Sequence, residues 1–378
     1  MKIVHVVSGL TKGGGERIVV ELANYAATKG DKVTILAGWP VDPGFLQNSI
    51  LSTVNIQFIA SKKSAAYFKI LFWIIKRRRW IHSQDILHCH LTYGAVFGSF
   101  TKILLKTFFR NPHPIIIETY HAVGMSIPRF NRWMHSCMIL HRDGLVLMAK
   151  DKYWENYILK HPHLDSRIIP NGIALLESAK DPIIRKELIT SIGVSEKNKY
   201  LVGTVGMLRP DRKPWLYIPV FIKIFKILGN EVHFILAGGG EEYKKVRDLA
   251  EQTGILGNFH MTGLVNEPVR LISNLDVYVS LSVRETGGIS MIEAAMCKVP
   301  VVAIQLDKKY KPKEEDWVWS DSDIQVVADK IVSLLLDEHE RARLVERQYD
   351  FVMQNFTSDI MYSSYNKFYN ELLSSITC

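Results

Sequence analysis

Ser282 to Pro300 reads SVRETGGISMIEAAMCKVP. Glu285 and Glu293 stand eight positions apart, and Gly287 and Gly288 follow closely on the first acid. Ile289, Ile292 and Met296 recur at spacings of three and four, the period of one helix face. Thr286, Gly287, Gly288 and Ser290 make the entry to that helix. A helix start leaves backbone N–H groups unpaired at the positive end of the macrodipole, and glycine lets an anion approach them. The stretch fits a phosphate seat flanked by two carboxylates. It also fits a solvated acidic helix start, because acids favour that end. The preceding run, Leu275 to Ser282, alternates apolar residues like a strand. The acids then stand at the carboxyl end of a buried strand, where open α/β sheets bind ligands.

Outward from this stretch the same rhythm repeats. Tyr200 to Met207 reads as a strand and leads into Leu208-Arg209-Pro210-Asp211-Arg212-Lys213-Pro214. Three cations in five residues between a strand and a helix suit a diphosphate, or a solvated loop. Glu231 to Ala237 is a strand ending in Gly238-Gly239-Gly240-Glu241, a place where backbone can be approached closely. Asn258 to Thr262 and Val299 to Ala303 are further strands, and Ile324 to Leu336 and Asp359 to Leu373 are helices. The last carries an aromatic face of Tyr362, Tyr365, Phe368 and Tyr369.

The amino-terminal half has its own series. Lys2 to Ser8 is a short buried strand, followed by Gly9-Leu10-Thr11-Lys12-Gly13-Gly14-Gly15 and a helix through Ala27. Strand, glycine loop and helix open a nucleotide-binding α/β unit. Strands follow at Lys32 to Leu36, Ile56 to Ile59, Asp85 to His90, Ile115 to Thr119 and Gly144 to Met148. Arg167 to Ile173 runs into a turn containing Asn171. His88, His90 and His121 fall at strand ends on the ligand side, as structural or functional histidines. The rhythm breaks between Glu177 and Asp181, which places a domain boundary there. The expected domains are residues 1–177 and 178–356, with a terminal helix in 357–378.

Composition sets the bounds. A chain of 378 residues is comfortable for two domains, and 47% hydrophobic residues can fill their cores. Four scattered cysteines, with no CxxC, argue against a disulfide scaffold and fit a reducing compartment. Met1-Lys2-Ile3-Val4 leads straight into a strand, so no signal peptide is expected. No apolar run approaches the ~20 residues of a membrane span. Residues 1–180 hold 23 Lys and Arg against 11 Asp and Glu, a net of +12, while the remainder nets −3. An anionic partner is expected for the first half only.

Residues 65–80, AAYFKILFWIIKRRRW, are the sharpest source of that charge. They fit a core helix with a basic C-terminal end, and also a helix lying on an anionic membrane surface with Trp73 and Trp80 at headgroup level. Residues 96–110, with Phe97, Phe100, Lys102, Lys106, Phe108 and Phe109, are similar in character. No nucleic-acid fold accompanies the charge, so no nucleic-acid partner is expected.

In order and spacing these segments resemble the large family 4 of retaining glycosyltransferases. The resemblance is carried by GLTKGGGER, DILHCH, ETYH, IIPNGI, VGMLRPDRKP, ILAGGGEE and the E-x7-E of Glu285 and Glu293. It spans nearly the whole chain. It implies the α/β GT-B fold, with two Rossmann-like doubly wound domains facing across a cleft and the last helix crossing back to the first. A UDP- or GDP-sugar donor and a glycan or lipid-linked acceptor are implied, with no cofactor. By resemblance Glu285 contacts the sugar hydroxyls, Glu293 the ribose, and Thr286, Gly287, Gly288 and Ile289 the donor. Lys213, with Arg209 or Arg212, neutralises the diphosphate, Gly238 and Gly239 line its seat, and His121 faces the sugar. Gly14, Gly15, His90 and Asn171 lie on the acceptor side. No Asp-x-Asp stands in a loop suited to a metal.

The chain departs from its relatives at Thr286-Gly287-Gly288, at Met207, at Pro214, and at Gln305 to Lys309, where a Gly-Gly is usual. The reading is a cytoplasmic hexosyltransferase, peripheral on the inner face of the plasma membrane, acting in polysaccharide, O-antigen, capsule or lipopolysaccharide biosynthesis. A sugar-nucleotide epimerase and a non-catalytic nucleotide-sugar-binding subunit are the alternatives. A dinucleotide oxidoreductase fits less well, because no GxGxxG is followed by an acid placed for a ribose.

Overall fold

The computed structural model describes residues 1–10, 13–40, 49–109, 114–121, 129–176, 180–191, 200–281, 288–304 and 316–377. Glu285, Thr286, Gly287, Gln305 to Lys309 and Arg110 lie outside the described residues. The chain divides into two compact units, Met1–Ala174 with Phe356–Cys378, and Leu175–Asn355.

The first unit is built on β1 (Lys2–Gly9), β2 (Lys32–Trp39), β3 (Asn55–Phe58), β4 (Ile86–His90), β5 (Ile115–Tyr120), β6 (Gly144–Leu147) and β7 (Asp165–Ile168). All pair parallel in the order β3-β2-β1-β4-β5-β6-β7. Its helices are α1 (Gly14–Thr28), α2 (Lys63–His82), α3 (Leu91–Phe108), α4 (Arg129–Ile139) and α5 (Lys152–Leu159). Continuous apolar runs make strands buried on both faces, as a parallel sheet with helices on each side requires. Val4, Val6, Leu87, Cys89 and Ile116 pack with Ala66, Ile70 and Ile74 of α2 and Tyr93 and Phe97 of α3.

The second unit repeats the plan with α6 (Pro182–Ser191), β8 (Tyr200–Val205), α7 (Tyr217–Leu228), β9 (Val232–Ala237), α8 (Tyr243–Gln252), β10 (Phe259–Gly263), α9 (Pro268–Ile272), β11 (Val277–Ser280), α10 (Ile289–Met296), β12 (Val301–Ile304), β13 (Trp319–Asp321), α11 (Ile324–Leu336) and α12 (Glu338–Asn355). The strand order is β10-β9-β8-β11-β12-β13, all parallel. This is the doubly wound order of a dinucleotide-binding sheet, which reverses direction between β8 and β11.

The last helix, α13 (Ser358–Thr377), belongs to the first unit. Tyr362, Tyr365, Phe368 and Tyr369 are all buried. Each such side chain contributes about 1.5–3 kcal/mol by leaving water. Phe368 and Leu372 fit against the bare backbone of Gly144, where a Cβ would come within 2.8 Å of the Phe368 ring. Ile173 and Thr357 form an isolated parallel bridge that ties the two segments of this unit together.

Two expectations for the basic segments are corrected. Ala66, Ile70, Ile74 and Ile81 form the inward stripe of α2. Trp73 and Trp80 flank that stripe, pack edge to face on each other, and Trp73 also meets Phe97. They face the protein, not a headgroup layer. The outward face carries Phe68, Leu71, Phe72 and Ile75 instead. In α3, Phe97 is fully buried and Lys102 is held by Asp143 at 2.6 Å. Phe100, Lys106 and Phe108 remain exposed.

Candidate functional site

In the first unit, the expected residues gather at the carboxyl ends of β1, β4 and β5. Gly13 caps α1, so Gly14 and Gly15 fall in its first turn instead of in the preceding loop. His90 closes β4 and His121 follows β5 directly. Register puts His5 beside His88 and His90 beside Thr119, so these residues share one face of the sheet. The period of two then brings His121 to that face as well.

The imidazoles of His5, His90 and His121 are hydrogen-bonded in series. His5 Nδ1 lies 3.1 Å from His90 Nε2, and His90 Nδ1 lies 3.0 Å from His121 Nε2. Burial pushes His5 down to about 3 and His121 to about 4, and drives His90 well below the usual imidazole range. All three are neutral at physiological pH. His88 is different. Its Nε2 meets the Thr119 hydroxyl at 2.7 Å and its Nδ1 meets Tyr369 Oη at 2.7 Å, while Thr119 meets Tyr365 Oη at 2.9 Å. His88 thus fastens α13 to the sheet.

The join between β4 and α3 is strained. Leu91 has φ of +59°, a left-handed conformation uncommon for a leucine. Its side chain lies against Gly15, where a Cβ would come within 3.2 Å of Leu91 Cδ2 and 3.7 Å of the His121 ring. Glycine at 15 therefore keeps the space beside His121 open. Asn171 is half-buried next to Gly172, whose N–H donates to Met361 Sδ at 3.1 Å. It stands away from the histidines along the chain, at the tie between β7 and α13.

In the second unit, the loops after β8 and β9 are laced together. Gly206 N–H donates to Ala237 O at 2.9 Å, Leu208 N–H to Gly239 O at 2.9 Å, and Glu242 N–H to Leu208 O at 3.0 Å. Gly238 has φ of +151° and leaves only 1.8 Å between its would-be Cβ and Gly206 O. The Gly238-Gly239-Gly240 run is thus required first by the approach of this neighbouring loop. Arg209 grips Asp211 through two hydrogen bonds of 2.9 and 2.6 Å, which raise its pKa and lower that of Asp211. Part of the positive charge expected there is already answered within the loop. Arg212 and Lys213 are exposed, and Lys213 is strained at φ +46°.

At the carboxyl end of β11, Gly288 is the exposed N-cap of α10 and Ile289 its first residue. Glu293 lies one turn further along and is 1% exposed. The N–H of Leu281 donates to Tyr217 Oη at 3.2 Å, and Tyr278 Oη donates to Val205 O at 3.0 Å, so β11 and β8 are fixed where the sheet reverses.

Sequence reasoning missed His5, because a lone histidine in an apolar strand carries no signal until β4 is laid beside it. It also missed the buried Glu118, held by Arg142 and His135. His5, His88 and His90 place one nitrogen each within 4.8 Å of the others, a grouping that could hold a metal. Both nitrogens of His88 are already engaged, so a metal would have to displace Tyr369 or Thr119. Asp321-Ser322-Asp323 is accounted for as a turn, with Asp323 capping α11 through the N–H of Gln325.

Residues 12–175 match the family model described as Glycosyltransferase Family 4, and residues 186–351 that described as Glycosyl transferases group 1. The chain is a GT-B protein of the group 1/family 4-like glycosyltransferase superfamily. This GT-B chain is 23% identical over 382 residues to the O-antigen biosynthesis glycosyltransferase WclY of Escherichia coli, covering 100% of both. It is 24% identical over 297 residues to the N-acetyl-alpha-D-glucosaminyl L-malate synthase of Bacillus anthracis, covering 76% of this chain and 75% of that one. Among solved structures, Anabaena Alr3699/HepE in complex with UDP and glucose superposes with a TM-score of 0.76 at 15% identity, covering 98% of this chain and 100% of that one.

Proposed function

We propose that the protein is a retaining glycosyltransferase that moves a hexose-type sugar from a UDP- or GDP-sugar to a hydroxyl of a glycan or lipid-linked acceptor, in the building of a surface polysaccharide. The observation that carries this reading is the start of α10 at the carboxyl end of β11, with Glu293 buried behind its glycine N-cap. Relatives named for O-antigen and capsular polysaccharide biosynthesis support it.

Cleavage of the bond between the sugar C1 and the phosphate oxygen puts negative charge on the diphosphate and positive charge on the ring. The N–H groups at the start of α10 and the cations Arg212 and Lys213 answer the first charge. In a retaining, front-side displacement the acceptor oxygen bonds to C1 on the face the phosphate leaves. The acceptor proton passes to the departing phosphate oxygen, so no side-chain base is required. Glu285 holds the sugar hydroxyls and Glu293 the ribose.

The outward face of α2 favours work at an anionic membrane surface. It combines Phe68 and Phe72, 90% and 68% exposed, with Lys76 and Arg79. Each such cation contributes about 1 kcal/mol near an anionic leaflet. No helix among the described residues is long and apolar enough to cross a membrane.

The test is a panel of nucleotide sugars scored for nucleotide release, with membrane extract as acceptor. One donor should stand out, and Glu285→Ala should abolish its turnover while the far-ultraviolet circular dichroism stays unchanged. Wild-type turnover in that variant removes Glu285 from the site. Tight nucleotide binding with no turnover on any acceptor favours a non-catalytic binding subunit.

A further inference from the structure

The series His5–His90–His121 has a direction. Three neutral imidazoles carry three ring protons, and the two hydrogen bonds between them use two. The third proton stands at one end of the series. At the inner end is His5 Nε2, fully enclosed and without a hydrogen-bond partner among the described residues. At the outer end is His121 Nδ1, on a partly buried residue beside the space that Gly15 leaves free of a Cβ. A bare N–H in the core forfeits its hydrogen bond completely, whereas an N–H at the outer end finds water or a ligand.

We infer that His90, itself oriented by His5, fixes His121 as the Nδ1–H tautomer and so makes it an outward hydrogen-bond donor. In this arrangement His5 Nδ1–H donates to His90 Nε2, and His90 Nδ1–H donates to His121 Nε2. His5 and His90 are positioning residues. The neighbouring His88 does not interfere, because its partners Thr119 and Tyr369 are hydroxyls that donate or accept as needed. The inference deepens the proposed function and, for the meaning of the donor, rests on it. A neutral N–H at this position binds an oxygen that accepts, such as a sugar hydroxyl or a phosphate oxygen. It offers no lone pair with which to deprotonate the acceptor, which fits a displacement where the leaving phosphate takes that proton.

The test is nitrogen-15 NMR of the full-length protein labelled at histidine, without ligand, at pH 7.5. His121 is assigned by the signals lost in His121→Gln, and each tautomer is read from its ring nitrogen shifts. The wild type should show His121 and His90 protonated at Nδ1 by at least tenfold over Nε2, the reverse of an isolated histidine. His90→Ala opens a polar space that water can enter, and water accepts from either nitrogen. The His121 excess should then fall below about threefold, which loss of packing alone would not produce. Protonation of His121 at Nε2 in the wild type overturns the inference, whether or not His90→Ala folds. A folded His90→Ala with an unchanged His121 ratio overturns the part given to His90. Neither readout needs a donor or turnover, so a failed glycosyltransferase assignment is distinguished from a failed relay.

Discussion

Arg142 Nε donates to Glu118 Oε2 at 2.9 Å, with the arginine side chain fully buried and the glutamate 1% exposed. Arg142 continues to the Ser99 hydroxyl at 3.3 Å, and His135 contacts the other oxygen of Glu118. The pair ties β5 to the helices beside it within a few residues of His121.

Glu118→Gln leaves Arg142 buried without its counter-charge, and the expected cost is about 3–5 kcal/mol. Burial pushes the Glu118 carboxyl up, but the charges of His135 and Arg142 and their hydrogen bonds hold it below the ordinary carboxylate value. A depressed folded-state pKa adds stability above the unfolded value of about 4.3, and this is lost as pH falls through the folded value. Wild-type stability should therefore drop more steeply below about pH 4 than that of Glu118→Gln. Urea midpoints measured against pH check both statements, and parallel acid limbs would contradict the second.

Gly238→Ala has no room, because its Cβ would fall 1.8 Å from Gly206 O at a φ of +151°. The expected loss is about 3 kcal/mol, from backbone strain and separation of the two laced loops. Gly257→Ala meets nothing within 4 Å and should change stability by no more than about 0.5 kcal/mol. Thermal melts of the pair provide the comparison.

An asparagine at 121 presents its amide nitrogen near the place of Nδ1, and a glutamine presents its own near Nε2. If His121 donates through Nδ1 in the proposed transfer, His121→Asn should keep kcat within about tenfold of wild type, while His121→Gln should lose about 100-fold. That ratio corresponds to the 1.5–3 kcal/mol expected of a hydrogen bond to a charged group. The opposite ranking in steady-state assays would assign the donor to Nε2.

Phe68→Ser with Phe72→Ser should weaken binding to vesicles containing anionic lipid by at least tenfold, since each phenylalanine buried in a bilayer contributes about 1.5–3 kcal/mol. Binding of the wild type should also fall as salt rises, with the screening length near 10 Å at 0.1 M. Vesicle sedimentation measures both. Equal binding by the double variant would exclude the outward face of α2.

The two series of parallel strands were legible because buried strands need unbroken apolar runs and the turns between them need glycine. All 13 residues of α11, Ile324–Leu336, were read as a helix from the sequence. The strand β13, Trp319-Ser320-Asp321, was not, since three residues with two polar side chains carry no periodicity. Within the candidate site, His90, His121 and the start of α10 were visible as residue types at strand and helix ends. The roles of Trp73 and Lys102 were misread, because each is decided by a neighbour distant in sequence.

By itself, then, the sequence determined the alternation of strands and helices and the ends at which ligand-facing residues collect, since both follow from local period and turn chemistry. Only the tertiary structure decided what those residues meet. Thr119 and Tyr365 are 246 positions apart, and His88 and Tyr369 are 281 apart. His5 joins His90 across 85 positions only because β1 and β4 are adjacent in the sheet. Pairing of parallel strands and return of the last helix are long-range choices, and the side-chain hydrogen bonds that polarise the site exist only after they are made.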